Sequence, residues 1–214
     1  LFALTLRQAL SVSLLILVRS DRKFKYRGPV KGDEISPDLM SRIVDLRRRI
    51  QAKEAPYLQS PAQLEIEKSL RLDERSFHFY SLDEEGELVG ALRLTPAPFE
   101  LSALSPELAT AAGRYAGFFE ISRYVVEKNA KMAERLLLFS GAWLLRKTTA
   151  PGVIALCPEK LKEYYRYKYG ILTENISEAF PISTRKSGAY FIVKAEFSKF
   201  FRHIMERIVR LRQR

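Results

Sequence analysis

Residues 130–146 constrain the fold more than any other stretch of the chain. Leu136-Leu137-Leu138-Phe139 and Ala142-Trp143-Leu144-Leu145 spread apolar side chains around nearly the whole circumference of a helix. A helix without a polar face must be covered on several sides, so it belongs in the middle of the molecule. Just ahead of it, residues 117–126 read as a strand. A strand that feeds a buried central helix points to an α/β layering.

The remaining periodicities agree. Residues 23–27 alternate polar and apolar and predict a strand, punctuated by Gly28-Pro29 and Lys31-Gly32. Ser36-Pro37 is a helix start, with an N-cap followed by proline at the first helical position. Leu39, Ile43, Leu46 and Ile50 line the inner face of that helix, while Arg47, Arg48 and Arg49 flank or oppose it. Three such arginines are ordinarily a solvated face, from which one edge residue can turn toward a site. A short helix is expected at 62–70, then a hairpin of strands 76–81 and 87–94 around the turn at 83–86. Strand 152–156, helix 160–169, strand 189–194 and a basic terminal helix complete the order. The expected fold is α/β, a mixed and mostly antiparallel sheet flanked by helices, with extra N- and C-terminal helices.

Within 214 residues this suits one domain, residues 21–214, preceded by an amphipathic helix at 1–20. Leu6, Leu10, Leu14 and Leu17 share one stripe of that helix. It is too short and interrupted to span a bilayer, and Arg19-Ser20-Asp21-Arg22-Lys23 follows it where a signal peptide needs a small-residue cleavage site. The stripe suits packing on the domain or on a second subunit, with peripheral membrane contact as the alternative. The single cysteine, Cys157, lies in an apolar run and reads as an inert core thiol. His78 and His203 are far apart and form no metal pattern, so a metal-free cytoplasmic protein is expected. Lys and Arg exceed Asp and Glu by 36 to 25, which calls for an anionic partner without naming it.

Two segments resemble a known family. Gly86-Glu87-Leu88-Val89-Gly90-Ala91-Leu92-Arg93-Leu94 is similar to the G-x-x-V-G-x-x-R-L strand of acyl-homoserine-lactone synthases and N-acyl amino acid synthases. Glu120-Ile121-Ser122-Arg123-Tyr124-Val125-Val126 resembles their E-x-S-R-x-V-V strand. Both groups have the GNAT acyltransferase fold, and the resemblance runs over about residues 22–195. Leu46-Arg47 with Ile50 is similar to the L-R-x-x-V-F of their first helix, with Gln51 in place of the aromatic. Asp73 stands where the family has an acidic residue ahead of the hairpin. The tryptophan that lactone synthases carry after the first helix is absent, Tyr57 being the nearest aromatic, which favours the N-acyl amino acid synthases.

The resemblance implies transfer of a fatty acyl group from a thioester to the amino group of an amino acid, tyrosine or another aromatic one. It implies Glu120 as the base that frees the amine, the alternative being a buried structural pair with Arg123. Strict pleating separates Arg123 from Glu120 and Ser122, and a bulge would reunite them. Arg47, Arg93 and Arg123 are candidates for the acceptor carboxylate, and Asp73 for its ammonium. Tyr165 is the candidate acid for the leaving thiolate. Phe118, Phe119, Tyr124, Val125, Val126, Leu138 and Trp143 are candidates for the pantetheine arm and acyl chain.

Typical GNAT enzymes bind coenzyme A through a glycine-containing loop whose backbone N–H groups approach the pyrophosphate. Here residues 127–134, Glu-Lys-Asn-Ala-Lys-Met-Ala-Glu, contain no glycine. That favours the phosphopantetheine thioester of an acyl carrier protein over acyl-coenzyme A, with Lys128, Lys131 and Arg135 as carrier-docking residues and no bound cofactor. The competing readings are an acyl-homoserine-lactone synthase and a basic module that contacts RNA or anionic lipid. No nucleic-acid motif supports the last, and no nucleic-acid partner is expected.

Overall fold

The computed structural model describes residues 2–19, 23–54, 59–127, 130–159, 161–164, 173–178 and 190–199. The predicted helix at 160–169, the terminal helix beyond residue 199, Tyr57, Lys128 and Tyr165 fall wholly or mostly outside them. In chain order the elements are helix α1 (Phe2–Arg19), strand β1 (Lys25–Lys31), helices α2 (Pro37–Glu54), α3 (Pro61–Ser69) and α4 (Leu72–Arg75), and strands β2 (Phe77–Leu82) and β3 (Leu88–Pro96). Helix α5 (Pro106–Gly113), strand β4 (Phe119–Val126), helix α6 (Ala130–Lys147) and strands β5 (Gly152–Pro158), β6 (Thr173–Asn175) and β7 (Tyr190–Glu196) follow. This is the α/β order expected from the sequence, with α4, α5 and β6 added.

Helices α2, α3 and α5 start with the same device. Ser36, Ser60 and Ser105 each precede a proline, and each Oγ accepts from the backbone N–H three residues on, at 3.3, 3.3 and 3.2 Å. Proline contributes a preset φ where the helix has no use for its N–H. Ser105-Pro106 carries the same local signal for α5 that Ser36-Pro37 carries for α2, a start the sequence reading did not include.

The chain divides into two compact units. The first comprises Leu1–Pro96 and Ile121–Thr149, the second Ala97–Glu120 and Ala150–Arg214. In the first unit the strands run β1-β2-β3-β4. Strand β2 pairs antiparallel with both β1 and β3, and His78 stands opposite Arg93. Strand β1 continues through Gly28-Pro29 where the sequence predicts a stop. The register shifts between Arg27 and Val30, so the pair is absorbed as a bulge on an edge strand, where a missing N–H is tolerated. Gly28 has φ +112°, and a Cβ there would lie 2.5 Å from the carbonyl oxygen of His78.

Helix α6 is the covered element its composition required. Met132, Leu136, Ala142, Leu144 and Leu145 are buried. On one side Trp143 and Phe139 stack with Phe77 and Phe79 of β2, the Phe79–Trp143 ring centroids lying 5.6 Å apart at a steep tilt. On the other side lies α1. Ser11 Oγ donates to the carbonyl of Ala142 at 2.9 Å, and Arg7 donates to the carbonyls of Leu145 and Thr148, where a cation complements the helix C-terminus. Val12 and Ile16 of α1 remain exposed. Among the described residues no helix is long and apolar enough to cross a membrane. Helix α2 buries Ile43 and Leu46 against Leu88, Ala91 and Val125.

In the second unit β7 pairs antiparallel with β5 and β6. Its core gathers Phe99, Leu101, Leu108, Ala112, Phe118, Ile154 and Ile192. Cys157 is buried there, and burial pushes its thiol up to about 12, as suits an inert core residue.

Candidate functional site

The first unit holds a compact ionic cluster at the junction of α2, α3, α4, β2, β3 and β4. Arg47 leaves α2 on the buried side, unlike the exposed Arg48 and Arg49. Its Nη1 donates to both carboxylate oxygens of Asp73, at 2.8 and 3.0 Å. Arg93, 0% exposed, donates from Nη1 to Asp73 Oδ1 at 2.9 Å and to Glu67 Oε1 at 2.5 Å, and from Nε to Ser122 Oγ at 3.1 Å. Arg123 reaches Glu67 Oε2 at 2.9 Å and Gln51 Oε1 at 3.4 Å. Glu67 thus bridges two buried guanidiniums, a forked geometry that makes charge-assisted hydrogen bonds strong.

Local backbone explains how Ser122 and Arg123 both reach this cluster. Arg123 has φ +49°, a left-handed conformation that costs a non-glycine residue about 1–2 kcal/mol. The inside–outside alternation of β4 slips at this point, so Glu120, Arg123 and Val125 are all buried. This is the irregularity the sequence reading required if the E-x-S-R residues were to act together. Asp73 is held by its own short helix. Gly32 donates its N–H to the carbonyl of Ser76 at 2.8 Å, and a Cβ on Gly32 would collide with the Asp73 carbonyl. Ser76 Oγ in turn donates to the Leu72 carbonyl at 2.5 Å and lies 2.8 Å from Thr95 Oγ1.

Burial alone would raise the Asp73 carboxyl, but the guanidiniums of Arg47 and Arg93 outweigh it and hold Asp73 far below the usual carboxylate range. Asp73 is therefore a permanent anion, an anchor for a cation and not a base. His78 goes the other way. Burial, aided by Arg47, lowers it to about 4 against the pull of Asp73. Its Nε2 faces the Asp73 carbonyl at 2.8 Å and so carries the proton, leaving Nδ1 to accept from Arg47 Nη2 at 3.4 Å.

That geometry predicts a pH dependence of stability. Between pH 6.5 and about 4 the unfolded chain binds a proton at this histidine that the folded chain does not, so stability falls as pH falls through that window. The expected loss from pH 7 to 4.5 is about 2–3 kcal/mol, and His78→Gln should remove it. Urea unfolding of both proteins at the two pH values measures the difference; equal slopes would rule it out. Asp73 acts in the same direction only below its ordinary pKa.

A pocket of about 90 Å³ opens beside the cluster, lined by Val44, Arg47, Arg48, Gln51, Gln59, Leu64, Glu67, Asp73 and Arg123. Its wall carries three guanidiniums and two carboxylates, complementary to a small zwitterion. Of the sequence candidates the structure brings Arg47, Asp73, Arg93 and Arg123 together, with Ser122 beside them. Arg93 does not line the pocket; it ties Glu67, Asp73 and Ser122 together beneath it. Glu67, Gln51, Gln59, Val44, Arg48 and Leu64 are the pocket residues not among the sequence candidates. The only sequence signal for Gln51 was position, one helical turn after Arg47.

Glu120 lies in the second unit, 2% exposed, its Oε2 accepting from the backbone N–H of Glu100 at 2.6 Å. Phe118 packs edge-on against Tyr115 in that unit's core, and Phe119 is half-buried. In the first unit Val125 is buried, Tyr124, Val126 and Leu138 are half-buried, and Trp143 belongs to the aromatic stack beneath α6. Arg135 is buried, and Lys131 stands in the first turn of α6.

This order of elements, with a bulged strand running into a central helix, is the GNAT acyltransferase fold. Solved structures of that fold are similar to the chain at low sequence identity. The apo form of TofI shares 14% identity with a TM-score of 0.55, covering 83% of this chain and 95% of that one. FeeM, an N-acyl amino acid synthase from uncultured soil microbes, shares 14% with a TM-score of 0.52, covering 81% and 91%. An acyl-CoA N-acyltransferase from Pseudomonas aeruginosa shares 16% with a TM-score of 0.51, covering 80% and 97%. No protein-family model matches the sequence, and no curated protein matches it.

Proposed function

We propose that the chain is an N-acyltransferase that moves a fatty acyl group from an acyl-carrier-protein thioester to the amino group of an amino acid, tyrosine or another aromatic one. The observation that carries this reading is the pocket walled by Arg47, Arg123, Glu67 and Asp73 on an acyltransferase fold. A free amino acid presents a carboxylate and an ammonium a few ångströms apart, and this wall offers both guanidiniums and carboxylates. Arg47 and Arg123 bind the carboxylate, Asp73 and Glu67 attract the ammonium, and Arg93 positions both acids from below.

The base is proposed from the resemblance of strand β4 to E-x-S-R-x-V-V, not from the pocket. Glu120 takes a proton from the ammonium and frees the lone pair, which attacks the thioester carbonyl. The C–N bond forms and the C–S bond breaks; Tyr165 gives its proton to the departing thiolate, which leaves as a thiol, and the resulting phenolate takes the surplus proton from the acylated nitrogen. The backbone N–H of Glu100 holds the Glu120 carboxylate in one orientation. Phe118, Phe119, Tyr124, Val125, Val126, Leu138 and Trp143 are the proposed surroundings of the pantetheine arm and acyl chain. The alternative acceptor, S-adenosylmethionine for a lactone synthase, also carries an amino-acid head, and the mass of lipid products made in a bacterial host separates the two.

The donor follows from the glycine-free segment 127–134. Without a pyrophosphate cradle, coenzyme A gains little from its nucleotide, whereas an acidic carrier protein gains from Lys128 and Lys131; Arg135, the third docking candidate, is buried and has no such surface to offer. Such steering is screened over about 8 Å at physiological ionic strength. One acyl chain offered on both carriers should give the higher kcat/KM on the carrier protein, with an advantage that shrinks as salt rises. Lys128→Glu with Lys131→Glu should erase most of that advantage and leave the coenzyme A reaction nearly unchanged. Equal rates on both donors, or a preference for coenzyme A, would sink the carrier-protein assignment.

A further inference from the structure

We propose that Gln51 is a substrate-binding residue whose side-chain N–H₂ donates to a carboxylate oxygen of the acceptor amino acid. The proposal rests on the reading of the pocket as the acceptor site. Helix α2 sets Gln51 four residues after Arg47, so the two side chains leave the same face one turn apart. Gln51 is 3% exposed and nevertheless lines the pocket.

A carboxamide has two donors and two acceptor lone pairs, and a buried one is expected to use them. Here Oε1 is fully engaged, accepting from Gln59 Nε2 at 2.6 Å and from Arg123 Nη1 at 3.4 Å. A guanidinium can only donate, so the atom facing Arg123 has to be the oxygen, and the orientation of the amide is settled. The nitrogen is left with two N–H groups and no hydrogen-bond partner among the described residues, beside the pocket that Arg47 and Arg123 also line. Two donors between two guanidiniums make a site for an oxygen anion.

The test compares an amino acid with its amide, L-tyrosine against L-tyrosinamide, as acceptors for the full chain. Gln51→Glu is nearly isosteric and keeps an oxygen toward Gln59 and Arg123, but puts a negative oxygen where the N–H₂ was. It should raise the KM for tyrosine at least tenfold, on the order expected when a buried donor to a charged group is lost, and leave the donor KM unchanged. Tyrosinamide should lose roughly threefold or less, so the acid-over-amide preference collapses. A merely structural role would lower both acceptors and the donor together, and that result overturns the proposal. Gln51→Met, of similar length and uncharged, gives the same comparison if Gln51→Glu does not fold.

Ligand-observed NMR titration of tyrosine and tyrosinamide keeps this proposal separable from the reading it rests on. If wild type transfers no acyl group yet binds tyrosine over its amide, and Gln51→Glu abolishes that preference, the site stands and the reaction falls. If wild type transfers normally and the variant keeps its preference, Gln51 alone is wrong. Absence of binding to either compound overturns both.

Discussion

Replacing Glu120 by Gln should lower acyl transfer about 100-fold or more while the fold is retained, the loss typical of a missing general base. The substitution is isosteric, and the glutamine carbonyl oxygen can still accept from the Glu100 N–H that holds the carboxylate at 2.6 Å. What disappears is the capacity to take a proton from the ammonium. The deficit should therefore narrow as pH approaches the acceptor's own amine pKa, because a growing share of the substrate arrives already deprotonated. Rates from pH 6.5 to 9.5, with thermal unfolding as a control, read both effects. Near-wild-type turnover in a folded variant would make Glu120 structural, and a pH-independent deficit would remove it from the proton path.

Asp73→Ala should cost about 3–5 kcal/mol of stability, the penalty for stranding a buried charge that has lost its partner. Asp73 takes two hydrogen bonds from Arg47 and one from Arg93, and both guanidiniums are buried. Combining it with Arg47→Met should cost clearly less than the sum of the two single substitutions, since each removes what the other leaves unpaired. Urea unfolding of the four proteins measures this coupling. Additive losses, or a single-variant cost below about 1 kcal/mol, would mean that water reaches the cluster and screens it. The acceptor KM should rise in Asp73→Asn, which keeps the shape and removes the charge, with little change in the donor KM.

Sequence patterns located most of the elements because their signals are local. The hairpin at 76–94 is written in β-rich runs around a turn, and it forms as β2 and β3. Ser36-Pro37 places the start of α2 to the residue; Ser60-Pro61 and Ser105-Pro106 carry the same local signal, which the sequence reading did not use. Gly28-Pro29 misled the reading of β1, because a glycine–proline pair that stops a central strand is tolerated as a bulge at an edge, and edge position is not local information.

The candidate site was legible in part. Arg47, Asp73, Arg93 and Arg123 were candidates because their segments resemble the family's first helix, acidic position and two strands, and they do converge. Glu67 was invisible because α3 mixes apolar and polar residues with no clear stripe, and nothing in residues 61–69 distinguishes its one inward carboxylate from Glu65. By itself the sequence determined the buried α6, the hairpin ahead of it, the start of α2 and a segment 127–134 without glycine, all matters of neighbouring residues and their periodicity. Tertiary structure alone decided that Arg47 turns inward where Arg48 and Arg49 do not, that Glu67 bridges Arg93 and Arg123, and that the Gln51 oxygen faces Arg123. Those choices depend on which charge from a distant segment compensates a buried one, and a buried ion finds its partner through space, not along the chain.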